Sequence, residues 1–257
     1  LDDVDTDDNN EFVCNDDDGD TCDECSSGTY DGFNDGADNE LDGICDAGDD
    51  DADNDGSLSC DATISATDID GNTYSIVEIG DHTVIRECVT IHRGTNDKKA
   101  TRIGKHCLLM TYVHVAHDCQ IGNHVILASY TGLSGHVQID DYAILEGKVA
   151  AQQFTHIGKH TFIGGASLIR KNIPPYIKAA REPLTFAGVN SVGLRRRGFS
   201  DEKIREIEDL YRILFIQNSN VSKGIKAIHE NINPSDLRDE ILQFINSSDK
   251  GILRGMI

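Results

Sequence analysis

Ile121-Gly-Asn-His-Val-Ile-Leu127-Ala-Ser-Tyr-Thr-Gly-Leu133-Ser-Gly-His-Val-Gln-Ile139 carries a large aliphatic residue at every sixth position. The step continues both ways. From 79 to 169 it meets Ile, Ile, Ile, Asp, Ile, Leu, Val, Ile, Leu, Leu, Ile, Leu, Ala, Ile, Ile and Ile, so only Asp97 and Ala151 depart. The column two residues earlier, Val77 to Ser167, holds nothing but Val, Thr, Cys, Ala and Ser. Neither a helix of period 3.6 nor a free strand of period 2 makes this pattern. It is the mark of a hexapeptide-repeat parallel β-helix with three short strands per coil of about eighteen residues. The large aliphatics are expected to stack inside a narrow triangular prism, with the small column beside them. Gly80, Gly104, Gly122, Gly158 and Gly164 follow the aliphatic, where a turn is expected to need a permissive backbone. Asp97 marks a break inside Gly94–Thr101. Ile79 and Ile103 stand twenty-four residues apart rather than eighteen, which predicts a projecting loop there.

Past Ile169 the pattern is expected to stop at Pro174-Pro175. Ser200-Asp-Glu reads as an N-cap followed by two acids, opening a helix with Ile204, Ile207, Leu210, Tyr211 and Leu214 as its apolar stripe. A second short helix is predicted over 221–230. A third starts near Asn233-Pro234 and carries Leu237, Ile241, Phe244 and Ile245.

Upstream, the chemistry changes. Residues 1–70 hold 26 Asp and Glu and no Lys or Arg, while the rest of the chain has 19 acids and all 23 bases. The net charge of −22 excludes non-specific nucleic-acid binding by the whole chain. No apolar run approaches the roughly 20 residues of a membrane-spanning helix. The chain opens at Leu1 rather than Met, which predicts a piece ahead of it. The acidic segment cannot fold by apolar burial alone, so it is either a solvated tail or held by cations. Asp51, Asp53 and Asp55 with Gly56 open like a calcium loop, but Ala62 stands where the bidentate acid of an EF-hand belongs. Cys14, Cys22, Cys25, Cys45 and Cys60 lie among these turns and suggest disulfides in an oxidising compartment. The segment resembles the Asp- and Cys-rich calcium repeats of secreted proteins. Three parts follow: an acidic irregular segment (1–70), a β-helix (71–190) and a helical domain (191–257).

In a solenoid, residues eighteen apart lie one above another. His117 thus falls beneath Gly135 and Gln153, and Asp118 beneath His136, with His114 near the same corner. An imidazole beside a carboxylate serves as a general base for a hydroxyl, and a Gly N–H above it can receive an oxyanion. The same pair also occurs on protein surfaces without catalysis.

Several motifs then converge: Val77-Glu-Ile-Gly80, Ile85-Arg-Glu-Cys-Val-Thr-Ile-His-Arg-Gly94, Leu108-Leu-Met110, His114-Val-Ala-His-Asp118, Ser134-Gly-His136, Ile173-Pro-Pro-Tyr176, Gly188-Val-Asn190 and Gly193-Leu-Arg-Arg-Arg-Gly-Phe199. From Val77 to Ile257 they resemble the acyl-carrier-protein:UDP-N-acetylglucosamine O-acyltransferases of lipid A biosynthesis. The resemblance implies a homotrimeric left-handed parallel β-helix with a helical C-terminal domain, no cofactor, active sites between subunits and a cytoplasmic location. It implies His117 as general base, Asp118 as its orienting partner and Gly135 as oxyanion donor. His114, His136 and Gln153 would contact the substrate, Asn190, Arg196 and Arg197 its nucleotide end, and Gly165, with Phe162 nearby, the acyl tail.

Departures from the family are two. Gln152 stands where a His commonly precedes the Gln153 position. The coils that ought to precede Val77 are replaced by the acidic segment, with Ala66-Thr-Asp-Ile69 at a place that contributes to the site. This predicts an exposed apolar end, unless something caps it, and weakened turnover. Two alternatives follow: a non-enzymatic, secreted calcium-binding fusion with an inert β-helix, or a zinc enzyme like the γ-class carbonic anhydrases, built on His92, His114, His117 and His136.

Overall fold

A computed structural model of the chain describes residues 62–67, 73–218 and 220–255. Three sheets form the walls of a parallel β-helix. The first comprises Ala62–Thr67, Thr73–Ile79, Ala100–Ile103, Gln120–Ile121, Gln138–Ile139 and His156–Ile157. The second runs Val84–Ile85, Leu108–Leu109, Ile126–Leu127, Ile144–Leu145, Phe162–Ile163, Ile177–Ala180 and Thr185–Val189. The third stacks Thr90–Ile91, His114–Val115, Gly132–Leu133, Ala150–Ala151 and Leu168–Ile169. The chain visits them in that order, so each coil turns three corners. Register steps by twenty-four across the first coil, as in Ile79 opposite Ile103, and by eighteen in the coils above.

The period-six column lines the interior, and from Ile103 to Ile169 none of its members exceeds 4 % exposure. In the first coil, Ile85 and Ile91 are only half-buried, because the second and third sheets begin there. The first sheet ends differently. Ala62–Thr67, which the sequence places in the acidic segment, pairs antiparallel with Thr73–Ile79 and closes that edge.

The structure corrects the account of the turn glycines. None of Gly80, Gly104, Gly122, Gly158 and Gly164 has a positive φ. The left-handed residues are the Cβ-bearing His82, His106, His124, Tyr142 and His160 at one corner, with equivalents at the other two. Glycine is required by close approach instead. A Cβ on Gly104 would lie 2.6 Å from the Gly122 carbonyl carbon, and one on Gly158 would lie 2.6 Å from the Pro175 nitrogen.

The period of six ends at Pro174-Pro175 as expected, while the solenoid runs on past it. Ile173 bridges to Ile157, and Ile177–Ala180 pairs parallel with Phe162–Ile163, so a further coil forms with two residues fewer. The predicted loop is shorter than Gly94–Thr101, since strand resumes at Ala100.

Helix α1 spans Ser191–Arg196, α2 Asp201–Phe215, α3 Val221–Asn231 and α4 Asp236–Asn246. Ser200 caps α2 by accepting from the Lys203 N–H, as its sequence position implies. The expected stripe of α2 is buried, and the Tyr211 hydroxyl donates to the Pro175 carbonyl at 2.7 Å, tying the helices to the last coil.

Leu127 is fully buried in the middle of the stack. Leu127→Ala is expected to remove about 2–5 kcal/mol of stability, read as a lower midpoint in denaturant unfolding followed by circular dichroism.

Candidate active site

His117 and Asp118 sit where the chain turns from the third sheet to the first. His117 Nδ1 lies 2.8 Å from Asp118 Oδ2, with the imidazole one-third exposed and the carboxylate sealed. Asp118 is held from all sides. Its N–H donates to Thr101 Oγ1, the Thr95 N–H donates to Oδ1 at 2.8 Å, and the Thr95 hydroxyl donates to Oδ2 at 2.5 Å. Burial pushes this carboxyl up, but the Thr95 and His117 hydrogen bonds and the nearby His136 more than offset that and hold it at about 2. The dyad is therefore an imidazole hydrogen-bonded to a carboxylate held in its charged form.

Gly135 is stacked against the His117 ring, and a Cβ there would fall 2.6 Å from Nε2. Among the described residues none accepts from the Gly135 N–H. His136 meets His117 edge-on at 5.1 Å, with Nε2 3.6 Å from Asp118 and Nδ1 3.5 Å from Asp97. Phe154 stacks on His136 at 4.6 Å. Gln153 shares the corner, and Lys250 donates to its carbonyl. A cleft of about 520 Å³ opens beside Asp118 and His136 and runs past Arg102, Gln120 and Gln138 to Ser247 and Asp249. Cys119, next to Asp118, is buried and pushed up to about 11, so it supplies no thiolate nucleophile.

His114 lies on the outer face of the third sheet, hydrogen-bonded to Thr90 and edge-on to His92. The four imidazoles of the zinc alternative therefore form two pairs. Within the second pair, the His117, Asp118 and His136 ligand atoms lie within 4.8 Å of one another, and His117 Nδ1 is taken up by Asp118. The calcium-type acids Asp51, Asp53 and Asp55 lie outside the described residues.

The remaining predicted site residues occupy other corners. Between the first and second sheets stands a ladder of rings, His82, His106, His124, Tyr142, His160 and Tyr176, mostly spaced 4.6–4.9 Å. Arg197 lies over Tyr142 at 5.2 Å and donates to His160. Asn190 is buried, donating to the His160 carbonyl and capping α1, while Arg196 is exposed. Gly165 lies at the third corner, where its N–H donates to Glu146. No single chain brings the three groups together.

Residues 172–253 match the family model described as UDP N-acetylglucosamine O-acyltransferase, domain 2, and residues 100–135 match that of bacterial transferase hexapeptide repeats. An acyl-[acyl-carrier-protein]–UDP-N-acetylglucosamine O-acyltransferase of Halorhodospira halophila is 41% identical over 177 residues, covering 68% of this chain and 69% of that protein. The chain belongs to this O-acyltransferase family. A Sulfurihydrogenibium relative of the same name is 47% identical over 179 residues, covering 69% of this chain and 66% of its own. Among solved structures, the UDP-N-acetylglucosamine acyltransferase of Bacteroides fragilis has a TM-score of 0.69 at 40% identity, covering 74% of this chain and 76% of that one. That of Francisella novicida has 0.66 at 40%, covering 69% and 66%. The chain spans about two thirds of the length of the relatives it matches.

Thr95 is the site residue that the sequence did not disclose. Its only signal was the break in the period at Asp97.

Burial, Arg197 and Lys159 together hold His160 down at about 4, against an ordinary 6.5. An imidazole kept neutral by folding favours the unfolded state once acid can charge it there. Stability should be intact above about pH 6.5 and fall as pH drops towards 4. His160→Phe should narrow that loss, compared by urea unfolding at pH 7 and pH 4.5.

Proposed function

We propose that this chain transfers a 3-hydroxyacyl group from acyl carrier protein to the 3-hydroxyl of UDP-N-acetylglucosamine. The observation that carries the proposal is the 2.8 Å His117–Asp118 bond packed against Gly135, in a chain of this family. Asp118 keeps the proton on His117 Nδ1, leaving Nε2 to take the proton of the sugar hydroxyl as that oxygen attacks the thioester carbonyl. The charge that develops on the carbonyl oxygen is met by the Gly135 N–H. On collapse, the C–S bond breaks and the imidazolium returns its proton to the departing thiolate. His114, His136 and Gln153 would hold the sugar. Arg196 and Arg197 would hold the diphosphate, for which a guanidinium fork is suited. The acyl tail would pass Gly165. No step calls for a cofactor, and acyl carrier protein as donor is consistent with a reaction in the cytoplasm.

The three-corner arrangement supports a homotrimer. Around a threefold axis along the prism, the His117 corner of one subunit would face the Arg197 corner of the next. With an acidic sequence where the family resemblance implies early coils, turnover below that of the relatives is expected.

His117→Ala should lower transfer roughly 10²–10⁴-fold with circular dichroism unchanged. A second assay tests the shared site. His117→Ala subunits refolded in equal amounts with Arg196→Ala/Arg197→Ala subunits should recover about a quarter of wild-type activity, because one intact interface arises in each mixed trimer. No recovery would place the whole site within one chain.

A further inference from the structure

The six residues that break the period do more than bulge. Gly94 opens the loop by donating to the Ile76 carbonyl, and the Lys99 N–H closes it on the Thr95 carbonyl at 2.8 Å. A Cβ on Gly94 would lie 2.3 Å from the Ala100 nitrogen, so the loop can leave and rejoin the coil only through glycine. The loop delivers Thr95 onto Asp118, a residue twenty-three positions away, where its N–H takes one carboxylate oxygen and its hydroxyl the other. The second oxygen is the one that holds His117.

We propose that Thr95 is a positioning residue for the transfer, the third member of a Thr95–Asp118–His117 chain. Its two donors lock the carboxylate in place and in the charged form. Oδ2 then keeps the proton on His117 Nδ1 and leaves Nε2 free as base. Without the hydroxyl, a carboxylate with no exposed surface would lose a charge-assisted donor, and its charged form would become costly. The other groups facing Asp118 do not substitute for it. His136 stands 3.6 Å away and is shared with Asp97, and Lys98 and Arg102 line the cleft rather than touch the carboxylate.

This inference rests on the acyltransferase proposal for its activity arm, so the test has a second arm that needs no turnover. Thr95→Val keeps the shape and the backbone N–H but removes the hydroxyl, whereas Thr95→Ser keeps the hydroxyl. In ¹³C NMR titrations, the Asp118 carboxyl midpoint should rise in Thr95→Val and stay near wild type in Thr95→Ser. In ¹⁵N spectra, the Nδ1–H tautomer of His117 should lose population only in the valine variant. In the transfer assay, kcat should fall roughly ten- to hundredfold in Thr95→Val with little change in KM, and Thr95→Ser should restore most of it. An unmoved carboxyl titration in Thr95→Val, or equal losses in both variants, overturns the proposal. A wild-type chain that transfers nothing overturns the acyltransferase proposal instead, and the NMR comparison then decides the role of Thr95.

Discussion

Everything in this chain depends on one coil lying in register on the next. The clearest expression is at the corners, where a left-handed residue donates its N–H to the coil beneath, as His124 does to Lys105 and His160 to Asp141. A left-handed backbone costs a side-chain-bearing residue about 1–2 kcal/mol. Above the first coil the corners offset that with a hydrogen bond, and many also with a ring stacked on the ring below. Aromatics therefore stand where glycine would be expected, and glycine stands two residues earlier, where successive backbones nearly touch.

The same constraint explains what the sequence disclosed. A period of six tells which way each side chain points and which residues lie one above another, so the interior column and the His117, Gly135 and Asp118, His136 neighbours could be read directly. Backbone angles and close approaches leave no trace in that period, which is why the glycines were assigned the wrong reason. Pro174-Pro175 ends the period of six because proline cannot donate to a strand ladder. The pair sits at a corner, where Tyr176 supplies the N–H that reaches Lys159.

The functional groups divide along the same line. Those inside the regular repeat could be placed by counting. Thr95 could not, because the excursion takes it out of the lattice that gives every other residue its address. Asn190 had the right type for a nucleotide contact, but its side chain is already occupied by the His160 carbonyl and the start of α1. Such prior engagement is invisible without packing. The corners also separate the candidate groups within one chain, His117 and Gly135 on one edge and Arg197 on another, so the proposed site would need assembly to bring them together.

The loop opened by Gly94 has a consequence for the whole solenoid as a piece of counting machinery. Six residues are one wall of the prism. Taken into the coil, they would have advanced every later residue by one face, carrying His117 to the edge now held by the ring ladder and the ladder to the edge of Gly165. Looped out, they leave the numbering of faces untouched. Gly94 therefore works as an index mark for some seventy residues of repeat beyond it. Insertions of a full coil would be absorbed in silence, while one of six, unless expelled in the same way, would scramble the chemistry without disturbing the core.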